Sequence, residues 1–146
     1  MSRLHLATPE DLPRLDAMVA QYHALEGIES DVEHRRTALM PLLEGSPHGA
    51  VWLIGPRMSP VGYVAISFGW SIELGGMESF IDEIWLRDAV RGRGMGGEAL
   101  GELLKTLDEV GIKALHLEVS EGNPAERLYR RLGFRRRDFA LMTRMA

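Results

Sequence analysis

Apolar positions along this chain switch between the two-residue period of a strand and the 3.6-residue period of a helix, so its elements can be read in order. Leu4 and Leu6 alternate with polar neighbours as in a short strand, and Thr8-Pro9-Glu10-Asp11 then supplies an N-cap, a first-turn proline and an acidic first turn. This predicts a helix from Pro9 to about Tyr22. An acidic loop with Glu26, Glu29, Asp31 and Glu33 leads into a helical pattern through Leu39, Leu42 and Leu43, which Pro41 is expected to kink or divide. Two apolar runs, Ala50 to Ile54 and Val61 to Ser71, flank a Pro56 to Pro60 turn, and Leu74-Gly75-Gly76 turns the chain again toward Phe80 to Leu86. These three strands should form an antiparallel meander.

Beyond the meander the period changes. From Gly94 the positions Leu100, Leu103, Leu104 and Leu107 fall at helical spacing until Gly111, after which Ala114 to Val119 alternates like a strand. A parallel crossover follows from that order. Pro124 to Leu132 predicts a short helix closed by Gly133, and Phe134 to Met145 a final strand or hairpin. The expected fold is therefore an α/β domain with a mixed sheet and helices on both faces.

Composition narrows the chemistry. The chain has 146 residues, 45% of them hydrophobic, which suits one domain with a full core. There are no cysteines, which excludes disulfides, thiolate metal sites and an acyl-cysteine intermediate, and favours an intracellular setting. The opening residues lack the basic and apolar regions of a signal peptide, and no apolar run is long enough to span a membrane, so a cytoplasmic protein without membrane association is expected. A formal charge of -4 gives no footprint for nucleic-acid binding. The five histidines form no metal-ligand pattern, so no metal is expected; His116, between Leu115 and Leu117, reads as a satisfied sheet residue.

Chemistry concentrates between Ile84 and Gly97. Arg91-Gly92-Arg93-Gly94-Met95-Gly96-Gly97 puts glycines between a strand and the first turn of a helix, where backbone N–H groups are unsatisfied and the helix dipole is positive. A diphosphate can sit on such amides, with Arg91 or Arg93 adding charge-assisted contacts. The plainer alternative is a glycine-rich turn with two solvated arginines.

With these residues the chain resembles the GCN5-related N-acetyltransferases, whose cofactor motif is Arg or Gln, two residues, Gly, one residue, then Gly or Ala; Arg91, Gly94 and Gly96 fit it. A second family motif is matched by Asn123, Ala125, Leu128-Tyr129 and Gly133-Phe134, and the likeness covers nearly the whole chain. The resemblance implies a sheet with a central splayed parallel strand pair and acetyl-CoA as acyl donor. It also implies pantetheine pairing with the backbone of Ile84, Trp85 and Leu86, pyrophosphate held by Arg91 to Gly97, and Tyr129 near the thioester sulfur. Asn123 would also belong to the cofactor site, although it lies six residues before Tyr129 where the family usually has seven, which leaves its contact open. A homodimer is a further implication of the family.

The roles also follow from elementary chemistry. An alkylamine has a pKa near about 10.4, so at neutral pH it must lose a proton before attacking a carbonyl. The candidate bases are Asp82 and Glu83; strict alternation points them to opposite faces and lets only one meet the substrate, and Glu83 is the choice. Both also read as ordinary salt-bridged carboxylates. Backbone N–H groups of the same strand can hold an oxyanion if the strand bulges or splays. Tyr129, near about 10 by its reference value, is a competent proton donor to a departing thiolate near about 8.5; its alternative is a partly buried core tyrosine. The resemblance also implies that the first-helix connection and the strand-three hairpin stand at the acceptor mouth, where Glu26, Glu29, Asp31, Glu33, Glu73, Trp70 and Trp85 would line a site for a small-molecule or peptide amine; solvated acids and core tryptophans are the simpler assignment.

Two rivals stand beside N-acetyl transfer to a primary amine. A non-catalytic acyl-CoA sensor would keep the cofactor grip without turnover. A dinucleotide fold would use Gly92, Gly94 and Gly97 as G-x-G-x-x-G with Glu118 as the ribose ligand, but too little chain follows Glu118 to complete it.

Overall fold

The computed structural model describes residues 3–146. Its elements run β1 (Leu4–Leu6), α1 (Leu12–Leu25), α2 (Val32–Leu43), β2 (Gly49–Ile54), β3 (Gly62–Ser71), β4 (Gly76–Leu86), α3 (Met95–Glu109), β5 (Ala114–His116) and α4 (Glu126–Arg131). The five strands form one mixed sheet in the order β1-β2-β3-β4-β5. The first three pairings are antiparallel and β4 pairs with β5 in parallel, with α3 as the crossover.

Each sheet face buries a separate apolar layer. On one face Leu15, Met18 and Val19 of α1 and Leu39 and Leu43 of α2 pack on Val51, Leu53, Tyr63, Ala65 and Trp85. On the other, Ala99, Leu100, Leu103 and Leu107 of α3 cover Leu4, Ile54, Val64 and Ile66, with Leu128 and Tyr129 of α4 beside them. Of the four leucines expected from helical spacing, Leu100, Leu103 and Leu107 form the stripe that holds α3 to the sheet, while Leu104 lines the cleft beside β5 and α4.

Several elements differ from expectation: β4 begins at Gly76 rather than Phe80, β5 ends at His116 rather than Val119, and α4 begins at Glu126 rather than Pro124. A 3-10 turn occupies Pro9–Asp11, closed by the Thr8 N–H on the Asp11 carboxylate at 2.9 Å, and α1 itself begins at Leu12. Pro41 does not divide α2, which is continuous from Val32 to Leu43. It is exposed, as is Thr37 four residues earlier, so the carbonyl that loses its donor faces water. No strand forms between Phe134 and Met145. Arg136 instead makes two contacts with Glu126 of α4, at 2.9 and 2.8 Å, and holds the start of the tail on that helix rather than on the sheet edge.

Candidate active site

The site begins with one extra residue in β4. Ile66 pairs with Ile81 and Ala65 pairs with Glu83, so Asp82 has no partner and forms a bulge. Without it, Glu83 would share the face of Ile81. With it, Ile81 and Ile84 both pack in the α3 layer, while Trp85 lies in the α1 and α2 layer and Glu83 reaches a histidine of α1. The bulge breaks the strict alternation on which the expected separation of Asp82 and Glu83 rested, and it leaves Asp82 exposed beside a partly buried Glu83.

Glu83 is held at both oxygens. Tyr63 donates its hydroxyl to Oε1 at 2.7 Å, and His23 Nε2 lies 2.7 Å from Oε2. Burial, the Glu83 charge and the hydrogen bond together push the Tyr63 phenol far above its ordinary value, so it stays a donor. His23 Nδ1 is 2.7 Å from Ser30 Oγ, and Arg35 donates to the Ser30 carbonyl at 2.6 Å while pairing with Asp16 at 2.6 Å. Asp82 is raised by loss of water, then by the neighbouring Glu83 charge, with His23 opposing and Glu118 adding. Tyr22, half-buried, is raised by burial, then by Glu26, Glu83 and Asp82, with Tyr129 in electrostatic reach.

Neither His23, Ser30 nor Tyr63 was legible as a site residue. The trace of His23 is its position: Leu15, Val19 and His23 follow at four-residue steps on the buried side of α1, which aims a polar ring inward.

The glycine-rich segment lies at the end of the same strand. β5 pairs with β4 only from Glu78 to Phe80, so Ile81 to Leu86 run on without a neighbour on that side. This is the splay expected beside Ile84, Trp85 and Leu86. After β4 the chain turns through Gly92 and Gly94, at φ of 76° and 79°, conformations that side chains rarely adopt. The first α3 hydrogen bond is from Glu98 N–H to Gly94 O at 3.0 Å, so the amides of Met95, Gly96 and Gly97 precede the ladder. A Cβ on Gly96 or Gly97 would lie 3.2 Å from Leu86 Cδ1 or 3.1 Å from Leu128 Cδ1, so these glycines let the helix start close to β4 and α4. Arg91 bends back, donating to the Leu86 carbonyl at 2.8 Å and to Asp88 at 2.7 Å, and thereby fastens the loop. Arg93 is exposed on the same turn.

Tyr129 is half-buried in the α3 layer, edge-on to Phe134 at 5.9 Å, and burial raises its phenol. Asn123 is exposed and accepts the Ala125 N–H at 2.9 Å, so its side chain shapes the start of α4. A cleft of about 590 Å³ between β5, α4 and the tail takes in Tyr129 but neither Glu83 nor the glycine loop. Trp85 is core and Trp70 is 69% exposed on the β3–β4 hairpin. His116 bonds Glu78 at 2.8 Å, and Asp31 caps α2 through the His34 N–H. Among the described residues no group of three or more acids or histidines could hold a metal, and no helix is long and apolar enough to cross a membrane.

Residues 15–134 match the model of the acetyltransferase (GNAT) family. Solved structures similar to the chain include an integron cassette protein from the mobile metagenome of Cole Harbour Salt Marsh, 26% identical, covering 98% of this chain and 90% of that one at a TM-score of 0.87. A possible acetyltransferase from Clostridium difficile 630 is 17% identical over 98% and 96% of the two chains at a TM-score of 0.84. An aminoglycoside acetyltransferase from an uncultured soil metagenomic sample is 14% identical over 98% and 94%, at 0.77. No curated protein matches it significantly in sequence.

Proposed function

The chain belongs to the acetyltransferase (GNAT) family, and we propose that it transfers acetyl from acetyl-CoA to a primary amine of a small molecule or peptide by direct attack, with no covalent enzyme intermediate. One observation carries this reading: the bulge at Asp82 turns Glu83 toward α1 on the same strand whose open edge leads into the glycine start of α3. A base, a free backbone edge and an anion-binding helix end thus follow one another along Asp82 to Gly97.

The residues present fit acetyl-CoA. An added Cβ at Gly92 or Gly94 would meet nothing within 4 Å, so the loop is open on its outer side, and the amides of Met95, Gly96 and Gly97 are available to a diphosphate. Arg93 adds charge there, and Arg91 keeps the loop in shape. Ile84, Trp85 and Leu86 lie where β5 no longer pairs with β4, the edge along which the pantetheine arm would run, with the Leu86 carbonyl already taken by Arg91. When bound, acetyl-CoA supplies the thioester carbonyl. Glu83 would take a proton from the acceptor ammonium, directly or through water, and β4 amides near the bulge would face the thioester carbonyl oxygen. Tyr129, whose phenol is raised by burial, would hold the proton for the thiolate side of the donor. Asn123 acts on the site through the start of α4.

The test is a panel of primary amines with acetyl-CoA, read by thiol release and by the mass of the acetylated product, for the native protein and Glu83→Gln. Acetylated amine from the native protein and a fall of about 100-fold or more in Glu83→Gln support the reading. Tight acetyl-CoA binding with no product from any amine would favour the non-catalytic sensor.

A further inference from the structure

Glu83 has a partner that the proposed chemistry does not yet use. We propose that His23 is a positioning residue for Glu83, its tautomer set by Ser30, so that the base is oriented from the α1–α2 connection. The inference rests on Glu83 being the base.

The contacts suit one direction for each bond. Arg35 donates to the Ser30 carbonyl at 2.6 Å and lies 3.4 Å from Ser30 Oγ, so a hydroxyl oxygen facing that guanidinium directs its hydrogen away, toward His23 Nδ1 at 2.7 Å. With Nδ1 accepting, the proton of the ring sits on Nε2, which donates to Glu83 Oε2 at 2.7 Å. Tyr63 donates to Oε1 at 2.7 Å. Two donors on opposite oxygens fix the plane of the carboxylate and leave its remaining lone pairs for the ammonium proton. The His23 ring is buried, so this orientation is not averaged by solvent. Ser30 lies in the connection that carries Glu26, Glu29 and Asp31, and Arg35 joins it to Asp16 at 2.6 Å. The base on β4 is therefore tied to the acidic segment between α1 and α2 rather than to the sheet alone.

Two arms test this on the whole chain. In the first, imidazole nitrogen-15 NMR of the native protein should give His23 protonated at Nε2 and bare at Nδ1, with the tautomer ratio changed in Ser30→Ala and the Nε2 signal moved in Glu83→Gln. In the second, turnover is measured with acetyl-CoA and cadaverine or a lysine-containing peptide. His23→Gln should lower kcat about tenfold or more with acetyl-CoA affinity within about twofold, and should add no further loss in a Glu83→Gln background. The deficit should narrow as pH approaches about 10, where a free alkylamine needs no base. Besides His23, the titratable groups in electrostatic reach of Glu83 are Tyr63, Tyr22 and Asp82, with Glu118 and Glu26 behind them; burial first raises both tyrosines above their ordinary value.

An Nδ1-protonated His23, or losses that multiply in the double variant, would overturn the inference. Unimpaired His23→Gln beside an impaired Glu83→Gln overturns it alone, whereas unimpaired Glu83→Gln removes the base reading as well. Should neither amine be acetylated, the tautomer decides.

Discussion

Tyr63, fully buried on β3, donates its hydroxyl to Glu83 on β4 at 2.7 Å, so the candidate base is held by a side chain rooted in the core. Tyr63→Phe removes that donor and leaves a partly buried carboxylate short of one bond. Hydrogen bonds to charged groups are worth about 1.5–3 kcal/mol, and the partial exposure of Glu83 puts the expected loss toward the lower end. Urea unfolding should register it as a lower midpoint with an unchanged slope.

Asp82 carries the opposite tension. Its folded-state pKa is raised by desolvation and by the Glu83 charge, so the charged form is disfavoured by folding. A raised carboxylate destabilises above its unfolded value, and the effect fades as pH falls below about 4, where both states are protonated. Asp82→Asn should therefore raise the melting temperature at pH 7 and lose that advantage near pH 3. Thermal scans at the two pH values check the sign.

Gly94 sits in the left-handed region immediately before α3. A β-branched side chain there is strained by about 1–3 kcal/mol and would displace the turn that presents the first amides. Gly94→Val is expected to weaken acetyl-CoA binding about tenfold or more while the α3 core keeps the chain folded, as calorimetry and circular dichroism would report together.

Tyr129→Phe keeps the ring that packs against the α3 layer and meets Phe134, and removes only the hydroxyl. Turnover should drop about 100-fold or more with acetyl-CoA affinity nearly intact, the range for a lost general acid. Equal turnover would take the hydroxyl out of the mechanism.

The frame was legible where local period and turn chemistry decide it. The leucine stripe of α3, the meander and the glycine start of the helix are all properties of neighbouring residues. What escaped depends on register or on distant partners. A bulge inserts one residue without altering local alternation, and its only trace is that Ile81 and Ile84, three apart, share a face. His23 meets Glu83 across 60 positions, so no spacing rule brings them together. Pro41 misled because the cost of its missing N–H depends on whether the freed carbonyl reaches water. The tail from Phe134 to Met145 misled because Arg136 is pinned to Glu126, and Phe139, Leu141 and Met145 stay exposed instead of joining a sheet.

Titration of the purified protein with acetyl-CoA by calorimetry, with CoA and NAD as comparators, tests the central claim most directly. The account predicts micromolar binding of both CoA compounds and no heat from NAD. Binding of NAD without CoA, or of neither, would contradict it.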